Sequence, residues 1–255
     1  TASSLYTARV RSYLIKQHIR FEERATGHPR FASAVIPAVG RFIMPVLETP
    51  DGAFIQDGVD IIDHFERSGG GRLPAYPDTP VLRALAHVFE LFGAEGLLRP
   101  AMHYRWNFDA DNLAFLDAEF TAHLAPLATP EEGRGVFEFA SGRMRKAAAG
   151  FGVTPETYGL VEESFSDFLA RLEAHLSRTP YLLGGRPTLG DYALIGPMFA
   201  HLGRDPHPHM LMKRAAPRVA RWVERMNWPH QGAHEFVDMT EDLSPEAAIP
   251  ETLER

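Results

Sequence analysis

Apolar positions give the chain two textures. Up to about Arg67 their period changes every few residues, and from about Pro80 onward they repeat as helix after helix. In the first texture Val10, Tyr13 and Leu14 stand at i, i+3 and i+4, with Arg9, Arg11 and Lys16 on other faces, which predicts an opening helix. Ile19-Arg20-Phe21-Glu22 alternates and predicts a half-buried strand. His28 to Gly40, interrupted by Pro29 and Pro37, reads as loop plus a short helix. Phe42 to Leu47 is apolar but contains Pro45, which a central strand rejects because the ladder loses a donor. Pro45 is therefore expected at a strand's first residue, at an edge, or in a cis turn. Pro50-Asp51-Gly52 is a turn, and Phe54-Ile55 the returning strand of a hairpin. Asp57 is placed to cap a helix from Gly58 to about Glu66, with Asp60 in its first turn.

The second texture is more regular. Thr79-Pro80 opens a helix whose buried stripe is Leu82, Leu85, Phe89 and Phe92. Val161, Phe165, Phe168, Leu169, Leu172 and Leu176 make another stripe. Thr188-Leu189-Gly190-Asp191 reads as a capping box with Asp in place of Glu, and Tyr192, Ile195, Met198, Phe199 and Leu202 follow it. A last helix opens at Pro217 and buries Val219, Trp222, Val223 and Met226. The divisions are a small α/β unit over 1–67, a Gly- and Pro-rich linker over 68–79, a helical domain over 80–241, and a polar tail over 242–255, expected to be loosely held.

Composition narrows the functions. Of 255 residues 45% are apolar and 23% charged, an ordinary globular balance, and the net charge of -7 disfavours nucleic acid or an anionic membrane as partner. With no cysteine there is no disulfide, thiolate metal site or cysteine nucleophile. No apolar run reaches the roughly 18 residues of a membrane helix, and the start Thr1-Ala2-Ser3-Ser4-Leu5 is not a signal peptide. A cytoplasmic protein is the expectation. Of the 12 histidines, His207-Pro208-His209 is the tightest group, but the intervening Pro and the want of nearby carboxylates favour a solvent loop over a metal site.

The order of elements, read with three local runs, resembles a cytosolic glutathione transferase. Tyr6-Thr7-Ala8-Arg9-Val10-Arg11 is similar to the start of that family's first helix. Met44-Pro45-Val46-Leu47 is similar to its cis-proline turn, with Gln56-Asp57 following at the right distance. Tyr181-Leu182-Leu183-Gly184-Gly185-Arg186-Pro187-Thr188-Leu189-Gly190-Asp191-Tyr192 resembles the capping-box motif of its helical domain and is the most specific of the three. The resemblance spans roughly Ser4 to Trp228 and is to a serine-type bacterial member. It implies a thioredoxin-like domain followed by an all-helical domain.

What the resemblance implies for chemistry is a bound glutathione whose thiol is ionised, since only the thiolate attacks and a free thiol ionises near about 8.5. Ser4, six residues before Val10, stands where the activating hydroxyl belongs, with Ser3 and Tyr6 as reserves. A plain N-cap is the competing reading of Ser4. Val46 would offer its backbone N–H and C=O to the cysteinyl part, with Pro45 fixing that geometry. Gln56 would bond the γ-glutamyl group, and residue 57 would offer its N–H to the γ-glutamyl carboxylate. Here the sequence departs from the commonest pattern, because Asp57 replaces a serine and its own carboxylate would repel the ligand's. His103, Tyr104 and Trp106 fall in the part that lines the electrophile pocket in the family, with simple packing as the alternative. Thr188 and Asp191 would be structural.

The family's first strand comes just before Ser4, and three residues precede Ser4 here. Either the given chain starts late, which a start on Thr1 rather than Met favours, or that strand is absent. The implied function is attack of the glutathione thiolate on a small hydrophobic electrophile, with no metal and as a homodimer. The alternative is a non-catalytic binding or scaffold protein on the same fold. A glutathione-dependent disulfide reductase is disfavoured because no cysteine is available.

Overall fold

A computed structural model describes residues 1–245 and 249–253. The chain opens with α1 (Leu5–Lys16). A π-helical turn (Phe31–Val35) then leads into the short α2 (Ile36–Val39). The antiparallel hairpin of β1 (Val46–Glu48) and β2 (Phe54–Gln56) follows, and then α3 (Gly58–Ser68). Gly69, at φ 66, ends α3 in the left-handed conformation that glycine adopts without strain. After the linker come α4 (Pro80–Leu91), a π-helical turn (Phe92–Gly96) and α5 (Leu98–Trp106). The remaining helices are α6 (Asp109–Leu124), α7 (Pro130–Gly150), α8 (Tyr158–His175), α9 (Leu189–Ala200), α10 (Pro206–Ala215) and α11 (Pro217–Met226). No helix among the described residues is long and apolar enough to cross a membrane.

Two expectations about local structure are corrected. Ile19–Glu22 forms no ladder, and the hairpin is the only sheet among the described residues. Alternation supplies a face for a strand but not the neighbour whose hydrogen bonds make it one. His207-Pro208-His209 lies in the first turns of α10 rather than in a loop, because Pro206 and Pro208 fall where a helix start tolerates proline.

The small unit and the helical domain share one core. α1 lies against α9 on one side and α3 on the other. Tyr13 and Leu14 of α1, and Ile61 and Ile62 of α3, join the same cluster as Tyr192, Ile195 and Met198 of α9. The approach is close because Gly196 lacks a side chain: a Cβ there would sit 2.7 Å from the Leu5 carbonyl oxygen. That contact seats the N-terminus of α1 on α9.

The C-terminal segment is docked rather than loose. The Gly185 N–H donates to Asp242 O and the Ser244 N–H to Leu183 O, both at 2.8 Å, and Leu243 packs on the core. Thr252 Oγ1 meets His175 Nδ1 at 2.8 Å. Residues 246–248 and 254–255 of the tail lie outside the described residues.

Further back, residues 230–231 cover a buried lysine. Lys16 is 2% exposed, and its Nζ donates to Tyr181 Oη at 3.0 Å and to His230 O at 2.7 Å. Burial, helped by the Arg225 and Arg72 charges, pushes its pKa down to about 7. Between about pH 7 and 10 the unfolded chain therefore holds a proton that the folded one lacks, so stability rises with pH across that window. The slope is about 1.4 kcal/mol per pH unit. Lys16→Met is expected to remove this slope, and urea denaturation of both proteins at several pH values in that window checks it. Parallel curves for the two would contradict it.

Candidate active site

Ser4 is the N-cap of α1. It is extended (φ -95, ψ 122), its Oγ accepts from the Thr7 N–H at 3.4 Å, and its carbonyl accepts from Ala8 N at 2.9 Å. The cap geometry and the activating-hydroxyl reading remain compatible, because a serine oxygen has two lone pairs and a proton to donate. Tyr6 is 48% exposed, and partial burial, with Glu95 and Asp57 behind it, raises its pKa. A raised phenol pKa leaves it a donor, not a base.

The hairpin presents a free edge. The Met44–Pro45 peptide bond is cis. The Thr49 N–H donates to Ala53 O and Thr49 O accepts from the Gly52 N–H, both at 2.9 Å, so Thr49↔Ala53 is the hydrogen-bonded pair that closes the turn. Counting back along the register, Leu47↔Ile55 is again bonded, whereas Glu48↔Phe54 and Val46↔Gln56 are not. The N–H and C=O of Val46 therefore point away from β2. A cavity of about 870 Å³ lies beside that edge, lined by Thr7, Val10 and Arg11 of α1 and by Met44, Pro45 and Val46.

Beside the first turns of α1 stands the N-terminus of α3. Asp57 caps it, with Oδ1 accepting from the Val59 N–H at 2.8 Å, and takes φ 90, a conformation a non-glycine residue rarely holds. Gln56 Oε1 accepts from Arg41 Nη2 at 2.8 Å. A Cβ built on Gly58 would touch Arg9 and Val10 side chains at 3.5 Å, so α3 begins directly against the first turns of α1. Pro45 and Val46 line the cavity beside β1, and the start of α3 packs on the first turns of α1 with Asp57 near Tyr6, whereas Ser4, Tyr6, Gln56 and Asp57 are not among the residues lining the cavity.

Other residues singled out in the sequence lie elsewhere. His103, Tyr104 and Trp106 are buried in the helical domain and do not line the cavity beside β1. His103 Nε2 meets Glu162 at 2.8 Å, Tyr104 packs on Phe108 and Phe165, and Trp106 on Phe120. Thr188 and Asp191 form the reciprocal capping box of α9. No group of three or more potential metal-ligating His, Cys, Asp or Glu side chains occurs among the described residues. Sequence reasoning missed Arg41, which carries no local pattern, and the buried pair Arg105–Asp205, whose members stand a hundred positions apart.

This arrangement coincides with a known family. The glutathione S-transferase N-terminal domain matches residues 1–72, and the glutathione S-transferase C-terminal domain matches residues 143–225, together more than half of the chain. The chain belongs to the glutathione S-transferase family, with a thioredoxin-like unit followed by a helical domain. No curated protein matches it. Among solved structures it is similar to a glutathione transferase from Phanerochaete chrysosporium, at 15% identity and TM-score 0.58, covering 88% of this chain and 89% of that one. A beta-etherase from a Sphingobium species aligns at 18% identity and TM-score 0.56, covering 90% and 93%. A glutathione S-transferase from Methylobacterium radiotolerans, in complex with glutathione sulfonate, aligns at 17% identity and TM-score 0.51, covering 96% and 95%. At these identities the likeness shows the fold.

Proposed function

We propose that the protein binds glutathione and transfers it to a small hydrophobic electrophile. The observation that carries this is the free edge of β1 together with two helix starts, those of α1 and α3, packed against each other. The outward-facing Val46 peptide groups suit the cysteinyl backbone, which would add to the edge as a short strand. The α3 N-terminus and Gln56 suit the γ-glutamyl end. The α1 N-terminus, with Ser4 Oγ, suits the sulfur, where the helix dipole and a hydroxyl donor both favour the thiolate. The thiolate attacks the electrophilic carbon, and the leaving group departs with its bonding pair. The glutathione-sulfonate complex of the Methylobacterium relative supports this choice of ligand.

The test is conjugation of glutathione to an aryl chloride such as chlorodinitrobenzene, with wild type and Ser4→Ala. A hydrogen bond to a charged group is worth about 1.5–3 kcal/mol, so Ser4→Ala should raise the bound thiol's pKa by about 1–2 units and slow conjugation at neutral pH by at least about tenfold. Unchanged turnover would remove Ser4 from the chemistry.

One observation favours the alternative of a binding protein without turnover. The Asp57 carboxylate already occupies a donor at the start of α3 and adds a negative charge where a carboxylate would dock. Asp57→Ser is expected to tighten glutathione binding about three- to tenfold, the scale of a unit-charge repulsion at roughly 4 Å in near-aqueous surroundings. Calorimetric titration at low and high salt checks this, and the gain should shrink as salt screens the repulsion. A second copy of the chain is the proposed partner, docking where Val81, Val88 and Leu91 expose apolar surface on α4. Sedimentation of Val88→Asp against wild type tests it.

A further inference from the structure

We infer that Arg105 is a positioning residue for the Ser4 hydroxyl, reaching out of the helical domain to fix the turn that presents it. The inference rests on Ser4 as the thiol-activating group. Arg105 is 2% exposed, on the last turn of α5. Its Nε and Nη2 hold the fully buried Asp205 bidentately at 2.7 and 2.8 Å, and Asp205 is itself the N-cap of α10. Nη2 also donates to Ala200 O, at the end of α9, at 2.7 Å. The remaining arm, Nη1, donates to Ser3 O at 2.9 Å.

That last bond matters for Ser4. The Ser3 carbonyl and the Ser4 N–H belong to one planar peptide unit, so a fixed carbonyl fixes the plane from which Ser4 departs. On its other side Ser4 is held by the helix, through its own carbonyl to Ala8 N. The Ser4 N–H also donates to Thr1 O at 3.1 Å, so with both flanking peptide planes held only the side-chain torsion is left to set. The guanidinium is a rigid fork, and with Asp205 locking one side its free arm has one direction to point. The buried ring of His201 lies by the same turn, its pKa pushed down by burial and by the Arg105 charge, so it adds no second cation.

Stability alone does not call for an ion pair here. Apolar replacements of buried pairs are often neutral or stabilising. What an apolar pair cannot do is donate to the Ser3 carbonyl. A misplacement of about 1 Å at a reacting group is enough to lose rate, so a brace on this turn has a chemical consequence.

The test uses Arg105→Lys, which keeps a cation beside Asp205 but loses the fork, and the double variant Arg105→Met with Asp205→Leu, which removes the buried charges altogether. Two readouts are taken on the full chain. One is amide exchange of the first turn of α1, which needs no ligand. The other is the pKa of the glutathione thiol in the complex, followed by thiolate absorbance, in wild-type and Ser4→Ala backgrounds. Both Arg105 variants should speed exchange at Thr7 and Ala8 by roughly tenfold, the scale of one lost hydrogen bond to a charged group, with core amides of α9 unchanged. Both should raise the thiol pKa when Ser4 is present and leave it unmoved in Ser4→Ala, because the effect passes through Ser4. Unchanged exchange in a folded variant overturns the inference, and so does an equal thiol shift with and without Ser4. A wild type that binds no glutathione would instead contradict the proposed function, and the exchange readout would then decide the positioning role on its own.

Discussion

Replacing Asp191 by alanine is expected to lower the unfolding free energy by roughly 3 kcal/mol or more, about 6–12 °C in Tm for a chain of this size. Asp191 is 0% exposed, and its carboxylate accepts from Leu182 N at 3.0 Å, Thr188 N at 2.9 Å and Thr188 Oγ1 at 3.1 Å. Alanine would leave three buried donors without partners, each costing about 1–3 kcal/mol. The loss would also free the Tyr181–Pro187 loop from α9, and with it Leu182 and Leu183 of the shared core. The carboxyl's own pKa is pushed up to about 6 by burial, against the pull of these donors, so some of what it gives is offset by its desolvation. Thermal unfolding followed by far-ultraviolet dichroism measures the change. A drop below about 1 kcal/mol would mean that the box is not what fixes the start of α9.

Asp205→Ala is the second large effect, a loss of about 3–5 kcal/mol from leaving the Arg105 guanidinium buried without a counter-charge. The contrast with the surface decides that the burial, not the ion pair as such, sets the size. Arg67–Asp63, at 3.3 Å on the exposed side of α3, should be worth less than about 1 kcal/mol. Because the cost lies in the orphaned charge, Arg105→Met with Asp205→Leu should recover most of the stability. Urea denaturation of the three proteins tests both statements, and a double variant as unstable as Asp205→Ala would sink the reasoning.

How much of this was legible in the sequence depends on range. α1, the Pro45 turn, the Asp57 cap and the Thr188–Asp191 box are each written within a dozen residues, by periodicity or by a capping residue at a fixed offset. The structure shows each of them. Ile19–Glu22 shows the limit: its alternation is real, but a strand also needs a partner, which no local pattern supplies. The docking of 242–244 on the Leu183–Gly185 loop is equally non-local, and a polar, aperiodic segment gave no sign of it. In the site, residue types at helix and strand starts were readable because caps and turns have chemical requirements. The outward direction of the Val46 peptide groups was not, since it depends on counting a ladder whose register only the fold defines. Arg105 and Asp205 were invisible as a pair for the same reason. His103, Tyr104 and Trp106 illustrate the converse, because an aromatic run near a helix end reads alike whether it faces a pocket or the packed interior.

The central claim is that the edge of β1 and the starts of α1 and α3 form one glutathione site. Backbone amide shifts of the labelled protein, recorded on titration with glutathione to millimolar concentration, test it most directly. The account predicts saturable shifts at Val46, Asp57 and Gly58 and in the first turn of α1, larger at Gly58 in Asp57→Ser at equal ligand. Saturable shifts confined to other surfaces, or none at millimolar glutathione, would contradict it.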